Sequence, residues 1–188
     1  GEVDMAETGS AELLAQVEGL EGVETYKGQA TGNAIFTLNS ANPVLAELNV
    51  RKAIFEAISI EQVKDIVFNG LNYTEEPAGS LTLFSFQPDY VNALEEAGRK
   101  DGDIEGANKL LDEAGWVAGA DGIREKDGQR LSLVFPNHSD TETARARTLA
   151  VQAQLKEAGV EVVIDQRPSA DFAEDYTTQN GDIFFLNF

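Results

Sequence analysis

The stretch that most constrains the fold of this chain runs from residue 103 to residue 135, where an amphipathic helix is followed by a glycine, a tryptophan and a hairpin. The apolar residues of the helix are spaced three, four and seven positions apart and form one stripe along it: Ile104, Ala107, Leu110, Leu111 and Ala114. Gly115 follows where helices commonly end in a left-handed turn, which glycine adopts without a steric cost. We therefore expect the helix to end at Gly115 and Trp116 to pack over its last turn as a core anchor.

A hairpin is predicted directly after this helix. Asp127 and Gly128 are the Asp-Gly pair typical of a tight hairpin turn, and they follow a strand that begins at Ile123. Apolar residues alternate along the returning strand, which predicts one buried face: Leu131, Leu133 and Phe135.

Helices and strands are indicated on both sides of this unit. Before it, the patterns predict a short strand at residues 3–5, a helix capped by Ser10, strands at 23–29 and 34–38, a helix over 50–58, a second capped by Ser59, a loop over 71–87, and a helix from Pro88 to Ala97. After it, they predict a helix capped by Ser139 whose buried face carries Ala146, Leu149, Ala150 and Ala153, a strand after Gly159, a short helix with Phe172 and Tyr176, and a last strand at 183–188.

The recurring order strand, helix, strand favours an α/β fold with a mixed, largely parallel sheet flanked by helices. The chain has 188 residues, of which 42% are hydrophobic. This length is enough for one good core and too short for two full domains, so we expect a single lobe over residues 1–188. Because the chain opens on what resembles the middle of a strand, we expect it to be excised from a longer protein.

The charge of the chain argues against several classes of function. Fourteen Lys and Arg oppose 33 Asp and Glu, for a net charge of −19. Such a surface repels nucleic acid, because each phosphate contact needs a cation, and we expect no nucleic-acid partner. The chain has no cysteine, which excludes disulfides, thiolate zinc sites and a cysteine nucleophile.

Five short segments of the chain form a recognisable set: Asn-Val-Arg-Lys-Ala-Ile at 49–54, Asn-Lys-Leu-Leu-Asp-Glu-Ala-Gly-Trp at 108–116, Asp-Gly-Ile-Arg at 121–124, Gln-Leu-Lys-Glu-Ala-Gly-Val at 154–160 and Gly-Asp at 181–182. In sequence, order and spacing they resemble the family 5 extracytoplasmic solute-binding proteins of peptide and nickel ABC importers. The resemblance covers most of the chain.

The resemblance implies a fold, a function and a location. It implies one lobe, the second, of a two-lobe receptor with a type II periplasmic-binding-protein-like fold. That receptor is expected to bind an oligopeptide or dipeptide for import, without enzymatic activity and without a cofactor. The implied partners are a peptide-like ligand, the missing first lobe and the ABC permease subunits. The implied location is extracytoplasmic, either in a periplasm or as a lipoprotein anchored at the outer cell surface, with the signal segment outside this chain.

The candidate ligand contacts lie where predicted strands end. Ligands in α/β sheets collect at the carboxyl ends of strands, and helix amino termini offer free N–H groups to a carboxylate. These rules select the junction from Phe135 to Thr141, with Phe135, Asn137 and His138 as candidates, and Asn39 at the end of the 34–38 strand. The alternative is a plain capping turn, since such a junction needs polar caps with or without a ligand.

Metal binding and catalysis find little support in the sequence. Acidic residues between Asp101 and Asp112 mimic part of a calcium loop, but the apolar stripe of the predicted helix claims the same stretch. His138 is the only histidine, so no multi-histidine metal site is available. There is no Gly-x-Ser-x-Gly elbow and no phosphate loop. A small hydrolase or a self-contained interaction domain remains the alternative to a solute-binding lobe.

Overall fold

A computed structural model of the chain describes residues 4–28, 32, 34–71 and 73–187. In these ranges the helices are α1 (Ala11–Val17), α2 (Pro43–Ala46), α3 (Leu48–Ala57), α4 (Ile60–Val67), α5 (Ala93–Glu96), α6 (Ile104–Glu113), α7 (Glu142–Glu157) and α8 (Phe172–Thr177). The strands are β1 (Ala34–Leu38), β2 (Val117–Ala118), β3 (Arg124–Lys126), β4 (Gln129–Arg130), β5 (Ser132–Asn137), β6 (Glu161–Gln166) and β7 (Ile183–Asn187). A turn of 3₁₀ helix, Ser169–Asp171, leads into α8.

Strand pairing divides these strands into three groups. β1 pairs with β7 antiparallel, β5 pairs with β6 parallel, and β2, β3 and β4 form an antiparallel ladder. The mixed α/β class is confirmed, while parallel pairing within the described ranges is confined to β5 and β6. In the β1–β7 pair, Thr37 lies opposite Phe184, 147 positions along the chain. Because no short crossover connects such distant segments, the order of the elements does not predict whether their strands pair parallel or antiparallel.

Asp182 joins the β1–β7 pair to β5. Its N–H donates to the Val134 carbonyl (2.9 Å), and its Oδ2 accepts from the Val134 N–H (2.7 Å). On the other side, its carbonyl accepts from the Asn39 N–H (2.9 Å), and its Oδ1 accepts from Asn42 Nδ2 (2.7 Å). An ionised carboxylate has only acceptor sites, so it can receive both of these side-chain bonds at once.

One apolar core lies between the strands and helices α3, α6 and α7. α3 packs on α6, α4 packs on α7, and α7 covers β5 and β6. The largest fully buried side chains are Trp116, Phe135, Leu45, Ile54, Leu111, Leu131, Leu133, Leu155, Ile183, Val50, Val151 and Val160. By contrast, α1 contributes no buried residue to this core.

The helix and glycine stop that constrain the fold are confirmed. Gly115 adopts φ +83°, and the Trp116 N–H donates to the Leu111 carbonyl (2.9 Å), which closes the last turn of α6. Trp116 is 1% exposed and is therefore an anchor of the core. In the hairpin, Asp127 and Gly128 both adopt positive φ angles, as its tight turn requires. The returning strand is shorter than expected, because β4 ends at Arg130 and the chain then enters β5.

The guanidinium group of Arg124 connects α6, the hairpin and the end of α7. It donates from Nε to the Ala158 carbonyl (3.1 Å) and from Nη1 to the Trp116 carbonyl (2.6 Å). It also reaches Asp112 Oδ1 (2.6 Å) and Asn108 Oδ1 (2.8 Å). Three of the segments that carry the family resemblance, at 108–116, 121–124 and 154–160, thus meet at one buried arginine.

The capping predictions succeed at two helices and fail at two. Ser10 caps α1 and Ser59 caps α4, each accepting a backbone N–H three residues ahead. The cap of α7 is Thr141, which accepts from the Ala144 N–H (3.2 Å), so the prediction of Ser139 was wrong by two residues. The predicted helix from Pro88 was also wrong, because Asp89 adopts φ +65° and only the short α5 forms, capped by Asn92.

The buried face of α7 differs from the prediction. Its buried residues are Ala144, Thr148, Val151, Gln154 and Leu155. Ala146, Leu149 and Ala153 are exposed and Ala150 is partly buried. Alanines stand on both faces, so apolar spacing did not select one. The buried polar side chains are satisfied within the fold: Thr148 donates to a carbonyl one turn back (2.8 Å), and Gln154 accepts from the Ser59 N–H (3.1 Å).

Two predicted strands are absent where the structure describes them. Residues 23–28 form no strand, and residue 29 lies outside the described ranges. Met5 is 92% exposed and belongs to no strand, while Val3 lies outside the described ranges. The last strand, β7, forms as expected through Asn187, and Phe188 is likewise outside.

Candidate functional site

Asn137 and Gln166 lock together the carboxyl ends of β5 and β6. Asn137 Nδ2 donates to Gln166 Oε1 (2.9 Å) and to the Ser139 carbonyl (2.9 Å). In return, Gln166 Nε2 donates to the Asn137 carbonyl (2.9 Å) and to the Ser139 carbonyl (3.3 Å). The parallel register places the two residues opposite each other. Their side chains therefore fix the start of the loop that leads into α7.

His138, Asp175 and Arg167 form a charged cluster beside this edge. His138 Nε2 is 2.8 Å from Asp175 Oδ2, and Arg167 Nη1 is 2.9 Å from the same oxygen. Because an ionised carboxylate only accepts, the His138 Nε2 atom carries the proton. Asn180 Nδ2 donates to Asp175 Oδ1 (2.7 Å). The hydrogen bonds from His138 and then from Arg167 hold the pKa of Asp175 at about 2, below its ordinary value.

The cluster also orients the His138 ring. Phe172 contacts the ring edge to face, with 5.4 Å between ring centroids, and Phe172 stacks on Tyr176 in the next turn of α8. Arg167 donates to the Asn180 carbonyl (2.7 Å) and pairs with Asp165 (2.8 Å). The polar side chains of the edge are thus largely buried and held by several partners, with little freedom to reorganise.

Asn39 lies further from the carboxyl end of β5 than Asn137 and His138 do. Its Nδ2 donates to the Gly181 carbonyl (3.0 Å), and its backbone N–H bonds to Asp182, which in turn bonds to Val134. Val134 precedes Asn137 by three residues, about 10 Å at the usual rise of a strand. Asn39 instead lines an open cavity of about 260 Å³, with Thr37, Leu38, Ser40, Tyr176, Thr177, Gln179 and Phe184.

Phe135 lies in the core. Its side chain is 2% exposed, and its ring packs edge to face on Phe36 with 6.1 Å between centroids. The four residues selected from sequence therefore occupy three settings: the core for Phe135, the strand edge for Asn137 and His138, and the separate cavity for Asn39. Contact of any of them with a ligand stays a prediction.

Sequence reasoning missed Asp175, which bonds to His138, and Arg167, which bonds to the same carboxylate. Arg167 follows the end of β6 as His138 follows the end of β5, so the rule of strand ends contained a signal for it. Asp175 lies in α8, 37 positions from His138, and nothing in the sequence pattern relates the two.

The described residues contain no group of three or more His, Asp and Glu side chains that could hold a metal ion. Asp103, part of the calcium-like spacing, accepts from the Gly106 N–H (2.9 Å) as the cap of α6. Asp101 accepts from Ser59 Oγ (2.7 Å) and the Ile60 N–H (2.7 Å) at the start of α4. A second open cavity, of about 300 Å³, is lined by Lys64, Asp65, Phe68, Asn69, Gly70 and Tyr73.

Comparison with known proteins decides the family. The sequence model of the bacterial extracellular solute-binding proteins, family 5 Middle, matches residues 1–188. The chain belongs to this family. The family is one of solute-binding proteins, which agrees with the function expected from the resemblance.

Relatives in the family include proteins named for different ligands. The oligopeptide-binding protein OppA of Lactococcus lactis subsp. cremoris (strain SK11) is 39% identical over 121 residues, which cover 63% of this chain and 19% of OppA. The nickel-binding periplasmic protein of Escherichia coli (strain K12) is 29% identical over 193 residues, covering 95% of this chain and 35% of that protein.

A solved structure is also similar to this chain over part of its own length. Lactococcal OppA, complexed with an endogenous peptide in the closed conformation, matches with a TM-score of 0.72 and 27% identity over 95% of this chain and 36% of OppA. The chain therefore spans between about a fifth and just over a third of the length of these proteins. Among the described residues, no helix is long and apolar enough to cross a membrane.

Proposed function

We propose that this chain is one lobe, over residues 1–188, of an extracytoplasmic receptor that binds a peptide-like solute for import by an ABC transporter. The observation that carries the proposal is the family match over the whole chain, together with the fraction of each relative that the chain spans. OppA, whose solved complex holds a peptide, supports a peptide-like solute.

The strand edge at Asn137 and His138 is the proposed contribution of this lobe to the binding cleft. It combines a helix amino terminus, at α7, with polar side chains that are already fixed by Gln166 and Asp175. A fixed polar edge loses little conformational entropy when a ligand binds. Closure of two lobes on the ligand would then convert binding free energy into a closed population that the permease subunits recognise.

Location and anchoring follow from the same proposal. A receptor that delivers solute to an importer works outside the cytoplasm, in a periplasm or as a lipoprotein at the outer cell surface. The alternative, a small hydrolase or a self-contained interaction domain, lacks a specific supporting observation in the described residues.

Calorimetry with a pool of short peptides tests the proposal, on this chain alone and on the complete receptor that contains it. We expect the complete receptor to bind, and this chain to give no heat at peptide concentrations that saturate the receptor, because each lobe supplies only part of the contacts. Binding by this chain as tight as that of the complete receptor would overturn the two-lobe proposal. Absence of binding by both would overturn the peptide assignment.

A pair of variants tests the edge itself. In the complete receptor, His138→Ala is expected to weaken peptide binding, because it removes a polar contact and one of the hydrogen bonds that hold Asp175. The control is Gln129→Ala, an exposed position on the hairpin, which should leave binding unchanged. Equal affinities for the two variants would remove the strand edge from the proposed cleft.

A further inference from the structure

Arg147 differs from the other arginines and lysines of the described residues. Most of those cations pair with a carboxylate, and the remaining lysines and Arg145 are exposed to solvent. Arg51 donates instead to the carbonyls of Leu45 and Ala46. Arg147 is partly buried and has neither kind of partner in the part of the chain that the structure describes, and its Nε atom is buried without a hydrogen bond.

The guanidinium group of Arg147 lies on an aromatic cluster. Its Cζ is 3.8 Å from the centroid of the Phe185 ring, which packs edge to face on Phe36. Phe36 in turn contacts Phe55 and Phe135 in the same manner. The aromatic faces hold the cation by cation–π attraction but supply no hydrogen-bond acceptor.

Within the described ranges, no carboxylate compensates the charge of Arg147. Burial lowers the pKa of its guanidinium, and no carboxylate of those residues raises it again. A partly buried charge without a partner is unfavourable for the fold on its own. The surrounding protein carries an excess of acid, with a net charge of −19, so the missing carboxylate reflects the local structure and not the composition.

Arg147 also lies near the candidate strand edge. It stands in the second turn of α7, the helix that begins just after His138. The aromatic cluster beneath it includes Phe135, which precedes Asn137 by two residues, about 7 Å along the strand. The aromatic cluster therefore connects Arg147 to the strand that carries the candidate edge.

We propose that Arg147 binds a carboxylate group of the solute. The planar guanidinium can donate two parallel hydrogen bonds to a carboxylate, and the Phe185 ring holds it in place for that contact. On an acidic surface that repels anions, a partly buried cation that has no carboxylate partner among the described residues favours binding of a carboxylate at its own position. This inference rests on the proposed solute-binding function and adds the charge of the ligand group that the lobe recognises.

Binding of two matched peptide pools to the complete receptor tests the inference. One pool has free C-terminal carboxylates and acidic side chains, and the other has C-terminal amides with Asn and Gln in place of Asp and Glu. Loss of a charge-assisted hydrogen bond corresponds to about a tenfold to hundredfold change in affinity, so wild type is expected to prefer the acidic pool by that factor. Arg147→Met should abolish the preference, whereas Arg145→Met, an exposed change on the same helix, should retain it.

The thermal stability of the ligand-free protein separates binding from a structural role. Arg147→Met should leave the melting temperature unchanged or raise it, because it removes an unpaired, partly buried charge. A lower melting temperature with equal loss of affinity for both pools would assign Arg147 to the fold and overturn the inference. So would equal affinity of wild type for the two pools. Failure of wild type to bind either pool would instead overturn the proposed function, and this inference with it.

Discussion

Replacing Arg124 by methionine should destabilise the chain more than any other single change of a charged residue described above. Methionine retains an unbranched apolar stem of similar length but donates no hydrogen bonds. The carbonyls of Ala158 and Trp116 would lose their donors in the interior. Asp112 would lose a partner as well, but its side chain is 68% exposed and water can replace the bond.

The expected loss of stability follows from the two carbonyls that no longer accept a hydrogen bond. Each buried acceptor without a donor costs about 1 to 3 kcal/mol, which sets the loss at about 2 to 6 kcal/mol. Because the variant no longer desolvates a guanidinium group, the net loss lies in the lower part of that range, about 3 kcal/mol. Arg124→Lys retains the charge but reaches fewer acceptors, so its loss should be intermediate.

Urea unfolding, followed by circular dichroism and by the fluorescence of Trp116, measures these losses. The matched control is Arg130→Met, since Arg130 also joins separate segments but bonds to two carboxylates, Asp121 and Glu161, and has a side chain that is 36% exposed. Solvent screening makes the contribution of an exposed pair of this kind small. If the Arg124 and Arg130 variants lose equal free energy of unfolding, the reasoning from buried carbonyls is refuted.

Three further changes test other parts of the structure by the same unfolding measurement. Gly159→Ala, at φ +79°, would place a Cβ 2.8 Å from Arg124 Cγ and should lower the free energy of unfolding by about 2 to 3 kcal/mol. Its control, Gly128→Ala, has a similar φ of +78° but open space around it, and should lower it by about 1 kcal/mol. Equal losses for the two variants would contradict the clash. Asp182→Asn puts an N–H donor in place of one of the two carboxylate oxygens that accept from Asn42 and Val134, and should lower the free energy of unfolding by about 1 to 2 kcal/mol. An unchanged free energy of unfolding would contradict the hydrogen bonds assigned to this carboxylate. The pKa of Asp175 is lowered from 3.8 to about 2, so the stability that its carboxylate contributes is fully present above pH 3.8 and is lost as the pH falls through about 2. Asp175→Asn should therefore lose less stability than wild type between these two pH values. An unchanged pH profile would contradict the pairing with His138.

Local signals in the sequence predicted much of the scaffold. A glycine after an apolar stripe identified the end of α6 because only a left-handed turn suits that position, and Gly115 adopts it. Ser10 and Ser59 were recognised as caps because a hydroxyl three residues before a free N–H has a fixed geometric relation to it. Three of the five segments that carry the family resemblance meet at Arg124, so these segments belong to the interior of the scaffold.

The failures have a different physical origin. The buried face of α7 was misassigned because alanines stand on both sides, and because Thr148 and Gln154 are polar residues that the fold satisfies internally. The pairing of His138 with Asp175, and the unbonded Nε of Arg147 among the described residues, are set by the arrangement of distant segments. No local spacing encodes such contacts, so the candidate site was predicted only as far as the rule of strand ends reaches.

The hydrogen bonds of Asp182 have a mechanical consequence. Receptors that close by hinge motion need lobes that move as rigid bodies, since a lobe that deforms would absorb the displacement that closure should transmit. In the described residues, this one aspartate provides the hydrogen bonds between the antiparallel pair that carries β1 and the parallel pair that carries the candidate edge. Part of the stiffness of the lobe across that seam therefore depends on the carboxylate of one residue, and removing it would loosen the link between β1 and β5 without replacing a residue of the candidate edge.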